Sequence, residues 1–236
     1  MSKSLLTLAL VFCFGNAFSQ IDAGKSKDHL IIKFLPLGMF DIDNTFQVGL
    51  EVPLPKTSFS IQQEAGYGHS LFNVWYQGDN KHPDKNTIKA RTQFRFYFFE
   101  RSRMRSYVAG EYLFKRVVNK DNQWVGQDCI YDNCAYFEKK NVRFGRFVNA
   151  VHVKAGWQFY FQNRMTIDVY TGFGLRNIKG RNLTQNAENA RLDDDWLIWQ
   201  GGYRERNGTY DQVFPSLSFG FQIGVALGKF DKGKSK

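Results

Sequence analysis

The chain has 236 residues, carries 32 Lys and Arg against 22 Asp and Glu for a formal charge of +10, and is 17% aromatic. With no helical basic face to read a groove, that charge argues against nucleic acid and toward anionic lipid or an acidic polymer. Beyond the N-terminus no run of about 20 uninterrupted apolar residues exists, which excludes a transmembrane helix. The mean hydropathy of −0.43 does not exclude membrane strands, because only alternate residues of such a strand meet lipid and the loops dilute the average.

The chain opens with Lys3, an apolar core from Leu5 to Phe14, and Asn16-Ala17-Phe18-Ser19-Gln20, which has small residues where a signal peptidase reads. This predicts a signal peptide over 1–19 and one domain over 20–236, with the formal charge reduced to +9 by loss of Lys3. Cys13 follows Phe12 rather than a small residue, against lipidation.

Alternating apolar and polar residues then predict eight strands. The first, Leu30 to Met39, is interrupted by Pro36. Next come Phe46 to Leu54, Phe59 to Gly68, and Ile88 to Phe98, the last with Phe94 and Phe96 on one face and Arg91 and Arg95 on the other. Val108 to Lys115, Val151 to Phe161 and Met165 to Arg176 follow, and Leu217 to Leu227 closes the series with small or polar residues between every apolar pair. The intervening connections alternate in length. Pro55-Lys56-Thr57, Glu100 to Arg105 and Gln162-Asn163-Arg164 are short; Leu71 to Asn86, Arg116 to Gly145 and Asn177 to Gln212 are long.

Stripes of this kind suit a soluble sandwich or a lipocalin-like barrel as well as a membrane barrel. Short turns at one rim, long loops at the other, an even strand count and a charged, glycine-rich polar face decide for the membrane. The expected fold is all-β: an eight-stranded antiparallel up-and-down transmembrane β-barrel with long extracellular loops, in the outer membrane of a Gram-negative cell.

The runs Leu30-Ile31-Ile32-Lys33-Phe34-Leu35-Pro36-Leu37 and Phe46-Gln47-Val48-Gly49-Leu50-Glu51 resemble the opening of a family of Bacteroidota outer-membrane eight-stranded β-barrels of unknown function, small OmpA-like barrel proteins. Arg95-Phe96-Tyr97-Phe98, Tyr107-Val108-Ala109-Gly110-Glu111-Tyr112 and Pro215-Ser216-Leu217-Ser218-Phe219-Gly220-Phe221 extend the resemblance over most of the chain. It implies the barrel and no assigned chemistry.

Eight strands enclose room for little more than their own side chains. The interior is expected to hold Glu51, Glu64, Glu111 and Asp168 against Lys89, Arg91, Arg95, Lys115, Lys154 and Arg176, paired across the lumen because unpaired buried charge is costly. Such a plug predicts a structural or interaction component of the outer membrane or of an envelope complex. A narrow channel or small-ligand transporter is the alternative, and a lipid A-modifying enzyme stands third. His69-Ser70, with Glu64 below, is the one serine and histidine pair at the outer rim, and neighbours in a strand point to opposite faces unless the strand has ended. No catalytic residue, metal or cofactor is therefore assigned.

Cys129 and Cys134, an even pair after signal removal, predict a disulfide closing a small loop. Trp196, Leu197, Ile198 and Trp199 form an apolar loop cluster that packs on neighbouring loops or contacts a partner or lipopolysaccharide. Asp193-Asp194-Asp195 lacks the spacing of a calcium loop. Asn182-Leu183-Thr184 and Asn207-Gly208-Thr209 read as polar turns rather than glycosylation sites. Lys56, Arg101, Arg103, Arg105, Arg164 and the tail Lys229 to Lys236 make the short-turn rim basic. That rim suits anionic headgroups or an acidic periplasmic protein.

Overall fold

The computed structural model describes residues 29–41, 43–70, 84–101, 103–128, 134–161, 164–184, 191–192 and 210–227. The expected signal peptide lies outside the described residues. The strands are β1 (Leu30–Phe34), β2 (Phe46–Pro53), β3 (Phe59–His69), β4 (Asp84–Arg101), β5 (Met104–Gln127), β6 (Tyr136–Tyr160), β7 (Met165–Asn182), β8 (Arg191–Leu192) and β9 (Tyr210–Leu227). Among the described residues there is no α-helix, and the single helical turn is a 3-10 turn at Pro36–Met39.

All pairings are antiparallel, and they close a ring in which β1 to β7 follow one another and β9 returns to β1. β8 stands outside that circuit, pairing Arg191 and Leu192 with the far end of β5. The short connections after β2, β4 and β6 lie at one end, with the start of β1 and the end of β9. The β1–β2 connection and the three long ones lie at the other. Lys56 and Arg164 take positive φ in two of the tight turns. A register shift between Tyr97 and Phe99 marks a bulge where β4 approaches its turn.

Three expectations about boundaries change. The first strand ends at Phe34 rather than Met39, because Pro36 has no N–H to give to a ladder and its fixed φ starts a 3-10 turn. The expected loop from Arg116 to Gly145 is mostly strand, with β5 and β6 staying in register from Arg116↔Phe147 to Gln127↔Tyr136. β7 and β9 likewise continue to Asn182 and back from Tyr210, into the expected loop from Asn177 to Gln212. In these extensions most outward positions are polar, such as Asn122, Lys139 and Arg143, with Phe137 and Val213 as isolated exceptions, so the continuous oily stripe that betrays the lower strands is missing.

The ring is polar inside and apolar outside. Inward residues such as Arg95, Gln62, Gln158 and Asp168 have no exposed surface, whereas outward Leu217 and Phe219 are 82% and 75% exposed. On β4 the outward apolar run goes from Ile88 to Phe98, on β6 from Val151 to Phe161, on β7 from Met165 to Leu175, and on β9 from Leu217 to Leu227. Each run covers eleven residues. Ten rises of about 3.3 Å, tilted by about 40°, make a band about 25 Å tall. Near its upper edge the hydroxyls of Tyr67 and Tyr112 donate to the Oδ1 atoms of Asn86 and Asn149 at 3.3 and 2.8 Å.

Candidate functional site

The lower interior, nearer the short turns, is filled by a dense set of ion pairs and hydrogen bonds. Strand alternation sends Lys33, Glu51, Arg95 and Asp168 to one point from four strands. There the Lys33 ammonium donates to Asp168 Oδ2 at 2.8 Å and also pairs with Glu51, while the Arg95 guanidinium bridges Asp168 and Glu51. Tyr107 donates to Asp168 Oδ1 at 2.7 Å, Ser60 to Glu51 Oε1 at 2.8 Å, and Tyr97 to Glu51. A second knot sits one layer up. Glu64 accepts from Gln93 at 2.8 Å and from Gln222 at 2.9 Å; Gln93 also reaches Glu111, which pairs with Lys154 and lies 3.2 Å from His152 Nδ1. Guanidinium and ammonium groups lie over aromatic faces: Arg95 4.3 Å from the Tyr107 ring, Lys154 4.1 Å from Tyr170. Buried charges of this number persist because each finds a counter-charge and further donors.

The upper interior is entered by the β1–β2 connection. Asp43, Asn44 and Thr45 are buried there although they belong to no strand. Asp43 pairs with Lys85 at 2.6 Å, with Arg146 at 2.7 Å and with Lys115, and Asp41 pairs with Lys115 at 3.4 Å and with Lys89 at 3.6 Å. Burial alone would raise both carboxyls. The surrounding cations, Lys115 first, overcome it and hold both below the ordinary aspartate value of 3.8. Gly68 makes the seat: a Cβ there would overlap the carbonyl oxygens of Asn44 and Asp43.

Above the lower knots lies a cavity of about 510 Å³. One wall is apolar, built by the cluster of Leu113, Val148, Ala150 and Ile178. The rest carries Lys89, Arg91, Lys115, Arg146 and Arg176 against Asp41 and Asp43. A second cavity of about 420 Å³ shares Asp41, Lys89, Arg91, Leu217 and Ser218 with the first, and reaches the outer surface past Leu37, Phe40, Phe219 and Phe221.

Nine of the ten expected interior residues turn inward and are buried or half-buried; the tenth, Arg176, is on the inward register but exposed in the upper cavity. It makes no ion pair or hydrogen bond among the described residues. Sequence reasoning missed Lys33, because it sat in an irregular first segment, and the buried glutamines Gln62, Gln93, Gln158 and Gln222, which carry no charge to draw notice. It also missed Asp41, Asp43, Lys85 and Arg146, which lie in a connection or beyond the expected strand ends. Arg105, expected on the basic rim, is instead buried, with Nε 2.6 Å from Glu100 and its guanidinium 3.8 Å from the Tyr97 ring. Its neighbours Arg101 and Arg103 are exposed as expected.

β3 ends at His69, and this lets Ser70 Oγ approach His69 Nδ1 at 3.4 Å while His69 Nε2 lies 3.4 Å from Asp84. Both separations are long for hydrogen bonds, and the Asp84 side chain is half exposed to solvent. Asn182 Oδ1 accepts the Thr184 N–H at 3.0 Å, a polar turn as expected. Cys134 stands just before β6, but Cys129 lies outside the described residues, as do Asp193, Asp194, Asp195, Trp196, Leu197, Ile198, Trp199 and Asn207. No helix among the described residues is long and apolar enough to cross a membrane, which says nothing of strands. No protein-family model, curated protein or solved structure matches the chain.

Proposed function

We propose that this chain is an outer-membrane β-barrel, exported by its signal peptide, whose lumen is shut by its own side chains and whose role is that of a structural or interaction component of the envelope. The observation that carries the reading is the outer apolar band, eleven residues tall on four strands, wrapped around a charged interior. A water-soluble protein would expose the charges and bury the oil. About 25 Å is the height of the lipid-facing band in such barrels. The ring leaves no free sheet edge at the β1–β9 seam near the short turns, where Leu30 to Phe34 pair with Leu227 to Ile223. The Bacteroidota-like strand runs point the same way.

Lys33, Glu51, Arg95 and Asp168 meet in the centre of the lower ring, so the plug favours a closed wall element over the alternative of a channel. The experiment is to refold the mature chain into liposomes and compare boiled and unboiled samples by gel mobility, then to measure conductance in planar bilayers. A folded band that shifts on boiling, with no steady conductance, supports the reading. A chain that stays monomeric in buffer without detergent overturns the membrane assignment, and stable openings overturn the plug.

A further inference from the structure

The ring is incomplete on one side of its upper half. β1 has five residues and β9 eighteen, so above Ile223 the β9 edge that faces β1 has no strand beside it among the described residues. The β1–β2 connection fills the place without repairing the ladder. Its backbone bonds run within itself and to β2: Leu35 N–H to the Gln47 oxygen, Gly38 to Leu35, Thr45 to Gly38, and none among the described residues reaches β9. The second cavity opens at this gap. Its outer lip is Leu37, Phe40, Leu217 and Phe219, at the height of the apolar band, and its inner end is Lys89 and Arg91.

Those inner cations are short of partners. Lys89 has one carboxylate, Asp41, at 3.6 Å; Arg91 donates to the Tyr170 hydroxyl at 3.1 Å but reaches its nearest carboxylate, Glu64, only at 3.6 Å, and its Nε has no acceptor among the described residues. Arg176 in the connected cavity has none either. With Arg91 set against Glu64, four cations, Lys89, Lys115, Arg146 and Arg176, face two carboxylates around a cavity of about 510 Å³ and leave an excess positive charge in a partly dry place. An anion relieves it.

We propose that the upper interior is a binding site for an anionic amphiphile, one acyl chain bearing a carboxylate or phosphate head, which enters sideways from the membrane through the gap between the β1–β2 connection and β9. The head sits on Lys89, Arg91 and Arg176, and the chain leaves past Leu217 and Phe219. Cavities of this size hold small ligands. This deepens the barrel reading and rests on it.

The test uses the full mature chain in neutral detergent, first shown to give the heat-dependent gel shift. A failure of that shift concerns the barrel, and everything after it concerns the site alone. A fluorescent long-chain carboxylate is titrated and then displaced with laurate, with lysophosphatidate, with dodecanol and with inorganic phosphate. Saturable one-to-one binding displaced by laurate or lysophosphatidate supports the site and says which head it prefers. Equal displacement by dodecanol removes the cations from the argument, displacement by inorganic phosphate removes the chain, and absence of saturable binding removes the site; each overturns the proposal. The double variant Lys89→Gln/Arg176→Gln should weaken binding by about tenfold or more, the scale of one lost charge-assisted contact. Ser218→Phe, at the junction of the two cavities, should abolish it. Unchanged affinity in both variants, each still giving the gel shift, overturns the proposal as well.

Discussion

Near the short turns, Glu51, Glu64, Glu111 and Asp168 are matched by Lys33, Arg95 and Lys154, with Arg91 at the boundary, and the space between them is filled by glutamine and tyrosine. Toward the long connections, Asp41 and Asp43 face Lys85, Lys89, Lys115, Arg146 and Arg176, the last without a partner among the described residues, and a cavity remains. One region is neutral and packed; the other is cationic and open toward the apolar outer face. The same residue types thus make a plug where their charges cancel and a receptive pocket where they do not.

The comparison breaks most severely if a lower carboxylate is removed. Asp168→Leu leaves Lys33 and Arg95 facing each other with Glu51 as their shared counter-charge, and should cost about 3–5 kcal/mol, the usual penalty for stranding a buried charge. The urea midpoint for folding into vesicles, read by the gel shift, checks it. A change within about 0.5 kcal/mol, the range for surface substitutions, means the knot is not load-sharing and the two regions do not differ.

Asp43→Asn acts in the upper region and should do less. It leaves Lys85, Lys115 and Arg146 without their common carboxylate, so the β1–β2 connection should loosen at a cost of about 1–3 kcal/mol. Hydrogen exchange in residues 35–45 should quicken while the β1–β9 ladder keeps its protection, and bilayer conductance should stay absent because the lower knots still close the lumen. Conductance appearing in this variant would place the seal in the upper half instead.

Acid offers a milder probe of the same connection. Folding lowers Asp41 and Asp43 below 3.8, so their contribution is fully present above the unfolded aspartate value and is lost only as pH falls through their folded values. Exchange in residues 35–45 should therefore be flat from pH 7 to about 4 after correction for intrinsic rates, and rise below that. An increase centred near pH 6 would mean a histidine, not these carboxylates, controls the connection.

Much of this division was legible in the sequence, and the reason lies in what each region must display. Where strands carry the outward apolar band, period two is forced on the chain, so Phe94, Phe96, Val153 and Phe219 announced both the strands and, by alternation, Arg95, Lys154 and Asp168 inside. Above the band the outward face turns polar and the constraint lapses. Lys85 consequently falls in an expected loop and Arg146 between an expected loop and the next expected strand, although Val142, Phe144 and Val148 keep the inward register. Asp41 and Asp43 were illegible for a different reason: their burial comes from a connection folding inward beside Gly68, a long-range event with no local period. His69 and Ser70 turned on one residue of strand length, which alternation does not fix.

The smallest expected effect is also the sharpest contrast between the regions. Arg95→Gln and Arg176→Gln are the same chemical change on the inward face at opposite ends of the interior, Arg95 at the level of Asp168 and Arg176 eight residues further up β7. In the first, loss of the guanidinium takes a partner from both Asp168 and Glu51, so stability should fall by about 2 kcal/mol or more. In the second, no carboxylate is orphaned, the side chain already meets solvent in the cavity, and one of several mutually repelling cations is removed, so the urea midpoint should stay where it is. The two midpoints measured side by side decide the matter. If Arg176→Gln destabilises as much as Arg95→Gln, the upper cations are held for structure, and the excess charge that sets the cavity apart from the plug has a partner among the loop residues above it.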